Sequence, residues 1–288
     1  MGNNFKTFIL LAALTALVLG AGMVLGGRHG LMLGMVLAIG MNFAGYWFSD
    51  KIALAMSGAQ ETSPAQSPEL FRVIQHLTQR AGLPMPRVYI TPDWTPNAFA
   101  TGRNPQHSAV AVTQGILQML DRDELEGVLA HELAHIKNRD ILISSVAAML
   151  AGVLTQLAHV FQWGLMFGGN RDNDEEGPGL GAQLAMMVVA PIAASLVQMA
   201  VSRSREFEAD RIGAQICGRP MSLANALLKL ERGVEQHPMA NANPATAHMY
   251  IVNPFAGMGS ALFKLFSTHP PTEERVARLR ALATGVSY

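Results

Sequence analysis

A chain of 288 residues that is half hydrophobic and only 15% charged fits poorly with an ordinary soluble enzyme, in which about 25% of residues are charged. Its 21 Lys and Arg balance 21 Asp and Glu, so no net field draws nucleic acid, and a single cysteine, Cys217, excludes an intrachain disulfide and reads as a small buried residue. The composition points to a membrane protein of one or two domains.

Thr7 to Leu25 and Leu31 to Phe48 are apolar runs without Lys, Arg, Asp or Glu, close to the ~20 residues that cross a bilayer. Lys6 before the first would suit a cleaved signal peptide, but the second run follows almost at once, so a hairpin of two spans is the better reading. Gly22, Gly26, Gly30 and Gly34 carry the small-xxx-small spacing that lets two such helices approach. Ser57 to Ser67, rich in Pro, Ser and Gln, reads as a linker. In PELFRVIQHLTQRAG the spacing of Leu70, Val73, Ile74 and Leu77 predicts a helix that ends at Gly82. RVYITP, NAFATG and HSAVAVT are short, β-branched or aromatic, and broken by Pro, Gly and Asn; they predict a small antiparallel sheet. LDRDELEGVLAHELAHIKNRD predicts a helix with acidic residues in its first turn, where the dipole favours them.

Two further uncharged runs follow, Ile141 to about Phe167 and Leu180 to Val201, separated by the acidic turn GGNRDNDEEGPG. Beyond them, SRSREFEADRIGAQICG, SLANALLKLERGV and PPTEERVARLRAL predict helices, the last with Pro at its start. Met249 to Ser267 is apolar and Gly-rich and reads as a loop over a cleft or against the bilayer. Lys51, Arg72, Arg80, Arg87, Arg103, Arg122, Lys137 and Arg139 lie between spans two and three, and Arg203, Arg205 and Arg211 follow span four. The short connections hold only Arg28 and Arg171. That bias places both termini and the middle segment in the cytoplasm. The expected organisation is a transmembrane hairpin (1–50), a cytoplasmic part (51–140), a second hairpin (141–201) and a second cytoplasmic part (202–288). The fold class is mainly α, with four transmembrane helices and a cytoplasmic α+β domain that holds the small antiparallel sheet.

The chemistry sits in HELAH. His131 and His135 are four apart, so one helix face presents both imidazoles to a single tetrahedral ion. Glu132 lies about 100° round the helix; it is poorly placed as a ligand of that ion but within reach of a water beside it, as a general base. Such a site needs a third protein ligand. REFEAD offers Glu206, Glu208 and Asp210. Glu206 and Asp210 share a helix face and suit a ligand plus a carboxylate that orients a ligating histidine, whereas Glu208 lies roughly 200° from Glu206 and reads as solvated. Arg203 and Arg205 read as markers of the cytoplasmic membrane boundary. On a continuous helix, the polar residues Lys137, Asn138, Arg139 and Asp140 would hold His135 roughly 9 Å from Ile141, outside the hydrocarbon.

HELAHIKNRD, then SREFEAD after two apolar runs, then STHPPTEERVARL, together with PNAFATGRN and AVAVT, resembles the HtpX family of membrane-embedded zinc endoproteases, relatives of the CAAX-processing membrane protease. The resemblance covers nearly the whole chain. It implies one zinc ion on His131, His135 and Glu206, with Glu132 as general base and Asp210 behind the ligands. It also implies that His269 stabilises the oxyanion with Arg275 in support, and that the substrate is held as an added strand along Asn97, Ala98, Phe99 and Ala100 and along Ala109, Val110 and Ala111. The bland alternative for those two segments is ordinary core strands. The family's work is proteolysis of misfolded or damaged membrane proteins in envelope quality control and stress response. The implied setting is a multi-pass protein of the inner membrane with a cytoplasmic site, whose partners are unfolded or membrane-protein substrates and the lipid bilayer. No nucleic acid is expected, and homo-oligomerisation is left open. A prenyl-protein CAAX protease shares the core signature but usually has a longer chain. A zinc transporter or scaffold would place its polar groups inside the spans rather than beside them.

Overall fold

The structure, a computed structural model, describes residues 3–146, 150, 203–236, 250–252 and 270–285. The fourth apolar run, the acidic turn, His269 and nearly all of the third run and of Met249 to Ser267 lie outside these residues.

Helix α1 (Asn3–Trp47) is two helices joined at Gly26 and Gly27, where the backbone leaves helical geometry and Gly27 takes a φ of 56°. Two segments, Phe5–Met23 and Gly26–Trp47, are long and apolar enough to cross a membrane. They pack at Gly22 and Gly30 so closely that a Cβ on Gly22 would come within 2.4 Å of the Gly30 carbonyl oxygen. Met32, Leu33, Val36 and Ile39 project outward, each more than half exposed, a pattern suited to lipid rather than water. At the end of the second segment Tyr46, Trp47 and Phe48 gather, with Lys51 5.4 Å from the Phe48 ring centre and Arg103 4.6 Å from that of Trp47. Aromatic and basic residues collect in this way at a membrane–water boundary. Leu10 and Leu14 of the first segment pack against Ile143, Val146 and Leu150 at the start of the third apolar run.

After the short α2 (Ser49–Met56) come β1 (Gln60–Glu61), α3 (Pro68–Ala81), β2 (Arg87–Thr91), β3 (Ala98–Asn104), β4 (His107–Thr113), α4 (Gln114–Met119) and α5 (Arg122–Lys137). Three further helices are α6 (Arg203–Cys217), α7 (Pro220–Gln236) and α8 (Thr272–Ala283). Gly82 ends α3 in the left-handed conformation at φ 67°, and Asp121 and Glu124 close a reciprocal capping box at the start of α5.

The sheet is mixed, not antiparallel as expected. Its order is β1-β2-β4-β3, with β2 and β4 parallel and the other two pairs antiparallel. The β3–β4 hairpin brings β4, rather than β3, back beside β2, and strand order of this kind is not written in the alternation of side chains. Both residues of β1 come from the stretch read as a linker. One sheet face, with Val88, Ala98, Val110 and Val112, packs on α3 and α5 in the main core. The other, with Tyr89, Phe99, Ala109 and Ala111, packs against Leu54 of α2. Coverage on both faces explains why HSAVAVT reads as an unbroken buried run after its first residue.

A candidate metal centre

Helix α5 crosses the core with Val128, Leu129, Leu133 and Ile136 buried, and it carries His131, Glu132 and His135 on the side facing α6 and β3. Helix α6 approaches it at Gly213, where a Cβ would meet the His131 backbone at 2.9 Å. Only a residue without a side chain allows that approach, and it brings the acidic face of α6 onto the histidines. His131 Nε2 and His135 Nε2 are 3.2 Å apart. The Glu206 carboxylate reaches both, with Oε2 3.7 Å from His131 Nε2 and Oε1 3.6 Å from His135 Nε2. Ligand atoms of these three residues all lie within 4.8 Å of one another. Zinc bonds of about 2.0–2.1 Å in a tetrahedron separate neighbouring ligand atoms by about 3.3–3.4 Å, so the two nitrogens already stand near that spacing and a Glu206 oxygen would move inward to complete the set.

Each ring is held from behind. His131 Nδ1 lies 2.9 Å from Asp210 Oδ1, and Asp210 accepts from Arg275 Nη2 at 2.7 Å and Nε at 2.9 Å. Arg275, 1% exposed, also donates to the Ile251 carbonyl. His135 Nδ1 donates to Asp140 Oδ2 at 3.3 Å. With both Nδ1 atoms turned to carboxylates, both Nε2 lone pairs point at the common centre. Glu132, 6% exposed, accepts at Oε2 from the Ala100 N–H of β3 at 2.8 Å, which leaves its second oxygen for chemistry.

Burial pushes the Glu132 carboxyl up to about 7, reinforced by Glu206 and opposed by His135 and the Ala100 N–H. Burial opposes a charge on His135 too, but its hydrogen bond to Asp140 and the charges of Glu206 and Glu132 outweigh it and raise this histidine to about 9. Burial wins at His131, which is lowered despite Asp210. Asp210 is held down at about 2: burial disfavours its charge, but Arg275 and His131 overcome that. A proton on one imidazole beside a neutral one relieves the 3.2 Å approach of the two nitrogens. A divalent cation relieves it as well and competes with that proton.

The site residues expected from the sequence meet the structure unevenly. His131, Glu132, His135, Glu206 and Asp210 converge, with Arg275 behind them. Glu208 is exposed and paired with Arg211 at 2.6 Å and 2.9 Å, off the centre. Ala109, Val110 and Ala111 lie on β4, which has a strand on each side, so strand addition there is excluded and they are core. Ala98, Phe99 and Ala100 lie on the edge strand β3, where the Ala100 N–H is engaged by Glu132. Asn97 is buried; its backbone N–H donates to Thr113 Oγ1 and its Oδ1 accepts from Ile251 N–H. The helix is not continuous into the third run: it stops at Asn138, Arg139 adopts a φ of 58°, and a new helix begins at 141. Asp140, without a role in the sequence reading, is brought to His135 by that break. The signal available for it was only a carboxylate five residues beyond the second histidine.

Two histidines a turn apart, a glutamate beside them and a third carboxylate from a second helix are the working parts of an HExxH metallopeptidase. Residues 64–283 match the model of Peptidase family M48. A protease HtpX homolog of Desulfatibacillum aliphaticivorans is 55% identical over 97% of this chain and 89% of its own length. Homologs of the same description from Syntrophobacter fumaroxidans (54%, over 98% of this chain and all of that one) and Pyrococcus furiosus (51%, over 98% and 97%) align end to end. The crystal structure of S. mikatae Ste24p superposes with a TM-score of 0.49 at 17% identity, covering 95% of this chain and 64% of that one, a likeness too distant to say more. The chain belongs to peptidase family M48, among its HtpX proteases: a membrane metalloprotease acting on polypeptides.

Proposed function

We propose that the chain is a zinc endopeptidase of the inner membrane that cleaves misfolded or damaged membrane proteins at a cytoplasmic site. The observation that carries the reading is the convergence of His131, His135 and Glu206, with the Glu132 carboxylate alongside and fixed at one oxygen. A zinc ion held by those three residues supplies a Lewis acid for the scissile carbonyl and makes water a better nucleophile. Glu132 takes the proton of the attacking water at the oxygen not bound to Ala100 and returns it to the leaving amine. Asp210 and Arg275 keep the His131 ring in place. His269 is assigned the oxyanion, on the family resemblance. Edge strand β3 is assigned the substrate, which pairs with main-chain groups of that edge other than the Ala100 N–H, since Glu132 keeps that donor.

The Lys and Arg bias, the aromatic cluster at Tyr46–Phe48 and the packing of Leu10 and Leu14 on Ile143 and Val146 support the topology. In it, hairpins 1–50 and 141–201 span the bilayer, and parts 51–140 and 202–288 lie in the cytoplasm with both termini. The test is proteolysis in detergent. Zinc-loaded protein degrades an unfolded substrate such as casein, a zinc chelator stops it, and Glu132→Gln binds zinc as the parent does but loses activity by about 10²–10⁴-fold, the usual share of a general base. Parental activity in Glu132→Gln would end this mechanism.

A further inference from the structure

We infer that Asp140 is a positioning residue for the ligand His135, a second carboxylate serving the centre as Asp210 serves His131. The inference rests on the metal-centre reading. Its basis is how α5 ends. Arg139 N–H donates to the Ile136 carbonyl at 3.1 Å and Asp140 N–H to the His135 carbonyl at 3.0 Å. With Arg139 left-handed, this is a Schellman closure in which the final residue folds back over the residue five before it. The closure therefore lays Asp140 over His135 and no other histidine. Its Oδ2 stands 3.3 Å from His135 Nδ1, and the residue is 4% exposed. A carboxylate only accepts, so Nδ1 carries the proton and Nε2 is left to bind a cation. The other oxygen, Oδ1, faces Arg205 of α6 at 3.9 Å, one residue before the ligand Glu206. Asp140 thus stands between the two helices that supply the ligands. An arginine held left-handed, which non-glycine residues rarely adopt, is tolerated at the turn that makes this contact.

The competing role for Asp140 is a helix cap, since the chain turns helical again at 141. Serine caps a helix as aspartate does but is too short to reach the ring, whereas asparagine keeps both the cap and the acceptor. The full chain in detergent, with Asp140→Ser, Asp140→Asn and His135→Ala, is titrated with zinc against a chromophoric chelator and with cobalt(II) by its visible absorption. Asp140→Ser is expected to bind zinc 10–100-fold more weakly, the usual cost of losing a carboxylate behind a ligating histidine, with an altered cobalt band. Asp140→Asn is expected to stay much closer to the parent in both. Zinc affinity of Asp140→Ser within twofold of the parent overturns the inference, as does an Asp140→Asn as weak as Asp140→Ser. His135→Ala separates the two readings. If it loses zinc while Asp140→Ser does not, only the positioning role fails; if it keeps parental affinity, the metal centre itself fails.

Discussion

His131 and His135 stand one turn apart on the same helix, and the protein holds them by unlike means. Behind His131, Asp210 is gripped by two nitrogens of Arg275, whose remaining contact is the Ile251 carbonyl. Three separate segments of the chain meet there, and all are buried. Behind His135, Asp140 comes from the turn that ends the same helix and stands farther from its ring, 3.3 Å against 2.9 Å, and its counter-charge Arg205 is 3.9 Å away. The His135 side chain is 17% exposed against 2% for His131. One histidine is fixed by tertiary structure, the other by a local turn and a slack ion pair at the expected membrane boundary. The difference teaches that equal spacing in a motif does not mean equal restraint: the first histidine is set by contacts made when the domain folds, and the second by a turn of its own helix.

Glu206 faces both histidines from the centre, so its loss should weaken the two sides together. Glu206→Gln is expected to lower zinc affinity by at least about 100-fold, beyond the range of changes behind a ligand, as read by metal content after gel filtration. Arg275→Ala then probes the tight side. It leaves the Asp210 carboxylate buried without its partner, and a loss of about 3–5 kcal/mol is expected in urea or thermal unfolding in detergent. The slack side should respond less: Arg205→Ala removes a pair 3.9 Å apart with no close hydrogen bond between its members, so its loss of stability should be clearly smaller than that of Arg275→Ala. Equal losses in the two arginine variants would abolish the distinction. Smallest of all, Glu208→Gln breaks only an exposed pair with Arg211 and should leave zinc content unchanged. A fall there would mean that the wrong face of α6 had been assigned to the metal.

Much of this was legible beforehand because periodicity carries it. The 3.6-residue turn alone puts His131 with His135 and Glu206 with Asp210, and consigns Glu208 to the far side, as found. The apolar hairpin with Gly22 and Gly30 in contact followed from composition and spacing. What was not legible depends on backbone choices that a sequence does not announce. A left-handed arginine at 139 ends a helix that runs of helix-forming and apolar residues seemed to extend, and with it comes the contact of Asp140. The mixed sheet depends on which strand returns beside β2, and both orders satisfy the same alternation. The internal place of β4 follows from that order, and so does the exclusion of Ala109, Val110 and Ala111 from strand addition. The clasp on Ile251 joins it to Asn97, 154 positions earlier, and to Arg275, 24 positions later, and has no local sign.

Strand β3 ties the candidate metal centre to the third apolar run through two neighbouring residues. Ala100 offers its N–H along the sheet edge to Glu132, while Thr101 turns its hydroxyl from the sheet face to Ser145 at 2.8 Å, at the start of the third apolar run. Ser145 already donates to the Ile141 carbonyl, so Thr101 is the donor of that pair. A strand is a ruler with a two-residue pitch, and here consecutive marks are read by Glu132 and by the start of the third apolar run. A slip of one residue would unseat both at once, so that run and the carboxylate proposed as general base are kept in step by a single register.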